Sequence, residues 1–370
     1  MKQIQHALAY HGIPRGLAST RAFMARLGQF PDNSINALLR TAGPFIASRD
    51  AYRFKNGDPG WPITDEDARV LRKHCEPAID KAALVGIDIA RHALGDVQIS
   101  AIVGPSFGLP DAAIDYVIDK ITEPLRDKLV EAVVAGTPGK YGRCGGMAFS
   151  GLDFFLAGWP VDTANVKPES GDLRQYIWTR LLDSLDKNAA TFLEWIMVLH
   201  FLPAISTVAS GALGAAAGSI GGPVGAAIGA FLAGRDDVLG LGGADALLDK
   251  TRDDWRRLGR RLAGAAAWPI GFVYGDSLDP TDQHQVLAIG MIDHGDGTAT
   301  LDIWDNNDGA MCRKLQIDFR GDELKVTSSN ANLNAIKGII CEDYEPKTPP
   351  DVLRRTNSIQ PVSWTPFTCP

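Results

Sequence analysis

Apolar positions in the first two thirds of the chain recur at the three- and four-residue spacing of amphipathic helices. The clearest run covers 110–135, where apolar side chains return about every 3.6 residues and Pro124 predicts a kink. Three more helices are predicted over 147–160, 172–186 and 188–202. These patterns predict helices whose apolar faces pack against a core.

After residue 265 the pattern changes to short strands. β-rich runs separated by Gly, Asp and Asn begin at Trp268, His284, Thr298, Cys312, Glu323 and Ile336. Helices followed by strands predict an α+β domain in which the two halves pack on each other. We assign 1–85 to an N-terminal helical extension, 86–345 to one main domain and 346–370 to a C-terminal tail.

An uncharged segment interrupts the helical half. Residues 195–234 contain no Asp, Glu, Lys or Arg, and their glycines recur four apart, a pattern that lets helices approach closely. The segment is long enough to span a bilayer. However, it is rich in Ala and Gly, and Pro203 and Pro223 are expected to break it. We predict a tightly packed Ala/Gly-rich helical insertion, with membrane insertion and a flexible insertion as the alternatives.

Composition narrows the classes of partner. The chain has 370 residues, 45% of them hydrophobic, and a net charge of -7. An acidic chain has no long-range attraction to nucleic acid, so we expect no such partner. The five cysteines lack the spacing of a zinc site or a disulfide framework, and we expect neither metal nor cofactor. The N-terminus lacks a signal-peptide pattern, which predicts a cytoplasmic protein or export without a cleaved signal.

Cys144 lies at the end of the glycine-rich run 136–146, immediately before a predicted helix. A thiol at the start of a helix faces free backbone N–H groups and the positive end of the helix dipole, and both stabilise a thiolate. The same N–H groups can stabilise an oxyanion. Taken alone, this context fits a nucleophile and a small buried side chain in a tight turn equally well.

His284 opens a predicted hairpin whose turn is 294–297. Counting back from that turn brings His284 opposite Asp305, Asn306 or Asn307, depending on the length of the turn. A carboxylate on one ring nitrogen fixes the tautomer and leaves the other nitrogen to take a thiol proton. The alternative, a surface His–acid pair, fits the apolar content of the strand less well.

The order Cys, His, Asp/Asn is that of papain-like enzymes. CGGMAFSGLDFF, from Cys144, resembles the nucleophile helix of papain-fold cysteine peptidases, and HQVLAIG with DIWDNN resembles their His strand and the strand that follows. Within that superfamily the motifs look most like the bacterial bacteriocin-leader peptidases and related papain-fold proteins. The resemblance covers roughly 138–310. It implies a papain-like fold and a triad of Cys144, His284 and Asp305, with Asn306 or Asn307 as the alternative third member.

One papain feature has no counterpart. Papain-like peptidases place a Gln shortly before the Cys to complete the oxyanion hole, and no Gln or Asn lies between Gly136 and Cys144. The expected oxyanion and substrate contacts are therefore Gly145, Gln283, Gln285, Asn306 and Trp304.

These observations predict a cysteine hydrolase that acts on a peptide or protein substrate. Peptidases, amidases and glutamine deamidases use the same residues. The uncharged segment and the missing signal pattern suggest an exported effector or toxin. Two alternatives belong to other classes. One is a catalytically inactive papain-fold binding module, which the missing Gln favours, and the other is a membrane-active protein that uses 195–234.

Overall fold

The computed structural model describes residues 43–57, 60–62, 64–71, 73–75, 77–79, 142–219, 243–275 and 283–354. The predicted helix over 110–135 and most of the C-terminal tail lie outside these residues.

The described part contains the α-helices α1 (Ala47–Asp50), α2 (Cys144–Leu156), α3 (Asp172–Ser219) and α4 (Gly243–Leu262). Residues 65–71, 73–75 and 77–79 are also helical. Helix α2 begins three residues before the predicted start, at Cys144 itself, and ends just before Gly158, whose φ is 68°.

Helix α3 corrects two expectations. The two helices predicted over 172–186 and 188–202 are one continuous helix, because no breaker stands at residue 187. The same helix also runs through Pro203, which we expected to end it. A proline inside a helix removes one backbone hydrogen bond and need not end the helix when the flanking residues favour it.

The six predicted β-rich runs all form strands. They are β1 (Trp268–Tyr274), β2 (His284–Asp293), β3 (Thr298–Trp304), β4 (Cys312–Asp318), β5 (Lys325–Thr327) and β6 (Ile336–Cys341). They make one antiparallel sheet in the order β5-β4-β3-β2-β1-β6. The predicted α+β class is therefore confirmed.

The sheet is covered on both faces. Side chains alternate between the faces of a strand, so Val286 and Leu287 of β2 enter different apolar clusters. Val286 packs with the α4 residue Leu258, and Leu287 packs with Met147 of α2. The register Leu287↔Trp304 brings the start of β2 beside the end of β3.

The N-terminal segment belongs to the same core. Phe45, Tyr52, Phe54 and Trp61 are buried in the cluster that contains Met147. Residues before the predicted boundary at 85 thus help to build the main domain, and the boundary itself lies outside the described residues.

The uncharged segment is described only in part. Residues 195–219 continue α3, and the rest of the predicted insertion lies outside the described residues. Within the part of the chain that the structure describes, no helix is both long and apolar enough to cross a membrane.

Candidate active site

The start of α2 meets the open end of the β2–β3 hairpin. Cys144 is the first residue of α2, His284 the first of β2, and Asp305 follows β3 directly. The side chain of Cys144 lies near enough to the imidazole of His284 to raise the pKa of that ring. His284 Nε2 donates to Asp305 Oδ1 at 2.8 Å, which leaves Nδ1 for the thiol. The structure therefore brings the three residues of the predicted triad together.

The three groups are coupled electrostatically. Burial would lower the pKa of His284, but the Asp305 carboxylate and the Cys144 side chain raise it to about 10. Burial would likewise raise the pKa of Asp305, but His284 and the backbone N–H of Asn307 hold it below its usual range. The carboxylate of Asp305 and the charged imidazole of His284 therefore each favour the ionised form of the other.

The two asparagines after Asp305 have different contacts. Asn307 Nδ2 lies 3.3 Å from His284 Nε2. That nitrogen carries one hydrogen, and Asp305 takes it at the shorter distance. Asn306 instead donates to the carbonyl oxygens of Cys144 and Gln285, at 3.1 and 2.8 Å. Asn306 thus ties the strand end to the helix start, and its amide nitrogen donates to these two carbonyl oxygens and not to the imidazole.

Gln285 packs directly beneath the first turn of α2. Its Nε2 donates to Ser184 Oγ at 2.5 Å and to Glu342 Oε1 at 2.7 Å. Its Oε1 faces Gly145, where a Cβ would lie only 2.0 Å away. Both amide hydrogens are used inside the protein, so in this arrangement Gln285 has none left for an oxyanion. Backbone N–H groups of the first turn of α2, including that of Gly145, are the remaining predicted donors.

The other two predicted contact residues differ in position. Gln283 accepts a hydrogen bond from the backbone N–H of Tyr274 at 2.8 Å and lines the pocket beside Cys144. Trp304 is fully buried in the core, packs against Gly151 and donates through Nε1 to the carbonyl oxygen of Gly309. It faces α2 because the alternation along β3 turns it away from the face of Asp305. The expectation of a substrate contact at Trp304 is thus corrected.

Asn56 was missed by the sequence analysis. Its Oδ1 accepts from the backbone N–H of Arg143 at 2.6 Å, and its Nδ2 donates to Asn307 Oδ1 at 3.2 Å. It therefore joins the loop before the nucleophile to the loop after Asp305. Asn56 lies 87 residues before Arg143, and no local pattern marks such a distant partner.

Arg143 fixes the chain immediately before Cys144. Its guanidinium lies between the rings of Trp61 and Trp178, at 4.9 and 4.7 Å from their centroids. Its side chain is buried, and burial lowers the pKa of Arg143 to about 10. A stacked arginine in a closed space has little rotational freedom, which holds the approach to α2 in place.

A pocket of about 770 Å³, part of it open to solvent, adjoins Cys144. Its apolar wall comes from α3 and from the segment that contains residues 71–75, with Leu71, Leu181, Leu185, Ala189, Phe192 and Leu193. The polar lining side chains are Ser184, Asn188, Gln283 and Gln285. Among the described residues, no Asp, Glu, Lys or Arg lines this pocket.

Among the described residues, no group of three or more His, Cys, Asp or Glu side chains could hold a metal ion. Cys75, Cys144 and Cys341 are free thiols. Cys312 is disulfide-bonded, which the scattered cysteine spacing did not predict.

Comparisons of the chain with protein-family models, with curated proteins and with solved structures found no match.

Proposed function

We propose that this chain is a cysteine hydrolase of the papain-like type that cleaves a peptide or amide bond. The contact chain from the Cys144 thiol through the buried imidazole of His284 to the Asp305 carboxylate carries the proposal. The assignment of this α+β fold to the papain-like class is part of the same proposal.

In the proposed reaction, the Cys144 thiolate bonds to the substrate carbonyl carbon. The carbonyl oxygen becomes an oxyanion, which first-turn N–H groups of α2 stabilise. The C–N bond then breaks, and His284 gives its proton to the leaving amine. Water attacks the carbonyl carbon of the resulting thioester while His284 takes one of its protons. The C–S bond then breaks, which releases the acid and restores the Cys144 thiolate beside protonated His284. Asp305 orients His284 throughout and stabilises its charged form.

The pocket beside Cys144 indicates which substrates fit. Among the described lining residues a charged side chain would lose its hydration without finding an opposite charge, whereas an apolar side chain would gain by burial. We therefore propose that the substrate carries an uncharged, apolar side chain near the scissile bond.

The test of the nucleophile is the rate of alkylation by iodoacetamide at pH 6, followed by peptide mass mapping. An ordinary thiol with a pKa of about 8.5 is then less than about 1% ionised. We expect Cys144 to react roughly 100-fold faster than free cysteine. Cys75 and Cys341 are internal controls, because burial raises the pKa of these thiols to about 11 and about 12. A Cys144 rate equal to that of free cysteine would remove the hydrolase proposal.

The test of the pocket uses peptidyl chloromethyl ketones with Leu or Asp next to the reactive carbonyl. We expect the Leu reagent to label Cys144 faster, and Leu185→Glu to reduce that preference. Thr179→Glu is the matched control, because Thr179 is exposed on the same helix. Equal labelling by both reagents in the wild-type protein would contradict the proposed preference.

A catalytically inactive binding module is the second candidate. One observation favours it: the amide hydrogens of Gln285 are both used inside the protein, and no Gln or Asn lies between Gly136 and Cys144 in the sequence. Under this alternative, Cys144 would be alkylated rapidly, but a thioester or peptide substrate would not be turned over.

A further inference from the structure

Asn56 is a buried residue of the N-terminal segment whose side chain contacts both halves of the candidate site. It lies in the described range 43–57, outside the helices and strands. Its Oδ1 accepts hydrogen bonds from the backbone N–H of Arg143 at 2.6 Å and from Trp61 Nε1 at 3.0 Å. Its Nδ2 donates to Asn307 Oδ1 at 3.2 Å. One side of the amide therefore faces the start of α2, and the other side faces the segment after β3.

The backbone of Asn56 is held as well. Its N–H donates to the carbonyl oxygen of Asn306 at 2.8 Å, and its carbonyl oxygen accepts from Lys167 Nζ at 3.1 Å. Asn306 in turn donates through Nδ2 to the carbonyl oxygen of Cys144. Two hydrogen-bonded connections thus run between the start of α2 and the segment after Asp305, one through the side chain of Asn56 and one through its backbone.

The candidate site depends on such connections because its groups come from different elements. Cys144 begins α2, whereas His284 begins β2 and Asp305 follows β3. A misplacement of about 1 Å between reacting groups can cost about 100-fold in rate. Asn56 contacts the residue immediately before the nucleophile and the two residues that follow the acid. It therefore restrains the helix against the hairpin at the site itself.

We propose that Asn56 is a positioning residue of the candidate site, which sets the placement of Cys144 relative to the pair of His284 and Asp305. This inference rests on the proposed hydrolase function. Asn56 acts through the backbone before Cys144 and through the segment after Asp305, and it takes no part in making or breaking bonds. The N-terminal segment, which the sequence analysis assigned to a separate extension, thus supplies one part of the site.

The first experiment measures inactivation by the peptidyl chloromethyl ketone that carries Leu next to the reactive carbonyl. Its kinetics give a maximal rate constant and a half-saturating concentration. Asn56→Ala removes the side-chain connections, so the maximal rate constant should fall by about tenfold or more. The half-saturating concentration should stay within about twofold, because Asn56 is not among the described residues that line the pocket. Asn56→Asp keeps an oxygen for Arg143 and Trp61 and loses only the donor to Asn307, so its rate constant should stay within about threefold of the wild-type value.

The matched control is Thr251→Ala, which removes another buried polar side chain. Thr251 Oγ1 accepts from the backbone N–H of Ile339 at 3.3 Å and joins α4 to β6. Both Asn56→Ala and Thr251→Ala should lower the urea midpoint of unfolding, whereas only Asn56→Ala should slow the inactivation. A lowered midpoint with a wild-type rate constant in Asn56→Ala would make Asn56 a structural residue only, and would overturn the positioning role.

The second experiment displaces the Asn56 amide without removing it. A Cβ at Gly142 would lie 2.8 Å from Asn56 Nδ2, and Gly142 has no positive φ, so its backbone accepts alanine. Gly142→Ala should therefore slow inactivation of the otherwise wild-type protein. In the Asn56→Ala background the added methyl group finds space, and its effect should be at least about threefold smaller. Equal effects in the two backgrounds would contradict the proposal. If Asn56→Ala does not fold, a wild-type rate constant in Gly142→Ala overturns it.

The outcomes separate the positioning role from the proposed hydrolase function. A slower maximal rate constant in folded Asn56→Ala, with a smaller effect of Gly142→Ala in that background, supports the positioning role. If iodoacetamide shows an activated Cys144 but neither variant changes the maximal rate constant, the positioning role is overturned while the hydrolase proposal stands. If wild-type Cys144 reacts with iodoacetamide no faster than free cysteine, both proposals fall together.

Discussion

Helix α2 carries a buried polar cluster near each of its ends, and the two clusters differ in how completely their side-chain oxygens are hydrogen-bonded. Near the C-terminal end, Asp153 accepts hydrogen bonds from the hydroxyls of Tyr176 and Tyr344, at 2.8 and 2.6 Å, and from the backbone N–H of Lys347 at 2.9 Å. Arg180 Nε lies 2.6 Å from the same carboxylate. Both oxygens of Asp153 are thus fully engaged.

The cluster at the N-terminal end of α2 has buried oxygens that are not hydrogen-bonded in this way. Glu342 Oε2 and Asn306 Oδ1 are buried without a hydrogen-bond partner among the described residues, and Cys144 opens onto a pocket. Buried polar groups in native proteins are usually paired, and exceptions concentrate at functional sites. The comparison indicates that the Asp153 cluster holds α2 against α3, and the more open Cys144 cluster is consistent with the proposed hydrolase function.

Asp153→Ala tests whether the two clusters are independent, and it should have the largest effect on stability. The change leaves Arg180 buried without its carboxylate, so we expect a loss of about 3–5 kcal/mol in the free energy of unfolding. Urea denaturation measures the loss. Alkylation of Cys144 at pH 6, measured in the folded protein, should stay within about twofold of the wild-type rate, because the two clusters share no residue. Loss of that reactivity in a folded variant would show that the clusters act together.

His284→Ala tests the other cluster. If Cys144 and His284 form the proposed catalytic pair, loss of the imidazole should slow alkylation of Cys144 at pH 6 by about 100-fold. Circular dichroism checks that the variant stays folded. The matched control is His294→Ala, at the turn end of the same hairpin, where His294 is exposed and contacts Thr300. An equal loss of rate in both variants would point to damage to the hairpin rather than to the pair.

Asp305→Ala should have a smaller effect, about tenfold at pH 6. The Asp305 carboxylate raises the pKa of His284, so its removal lowers that pKa and the imidazolium is lost at a lower pH. The rate should therefore also begin to change at a lower pH than in the wild-type protein, where the pKa of His284 is about 10. Asp308→Ala is the control, because Asp308 pairs with Arg313. An unchanged pH profile in Asp305→Ala would remove Asp305 from the proposed triad.

Asn307→Ala should have the smallest effect, no more than about threefold, because its amide nitrogen lies 3.3 Å from the imidazole. This variant decides between the two candidates for the third residue by alkylation at pH 6. A loss as large as that of Asp305→Ala would assign the role to Asn307 instead.

Much of the fold and half of the site could be predicted from the sequence because the relevant signals are local. The hairpin turn determines which residues face His284, and alternating apolar positions mark each strand. Ser184 and Glu342 lie 101 and 57 residues from Gln285, and only the packing of α3 and β6 brings them to it. The prediction that Trp304 contacts the substrate was wrong. Trp304 is next to Asp305 in sequence, but successive side chains of an extended segment point to opposite faces.

The contact between Gln285 and Gly145 restricts which residues homologues with the same packing can carry at these two positions. Neither Gly145 nor Gly146 has a positive φ, so these glycines are required for space and not for backbone freedom. A methyl group at Gly145 would collide with Gln285, and one at Gly146 would lie 2.2 Å from the carbonyl oxygen of Ile177. The Cys-Gly-Gly and His-Gln motifs are therefore one steric unit, and we expect them to covary. A methyl group at Gly145 would also lie 2.6 Å from Ser184 Oγ. Homologues that have smaller residues at both the Gln285 and the Ser184 positions should therefore tolerate alanine after the cysteine, whereas the second glycine should change only together with the path of α3.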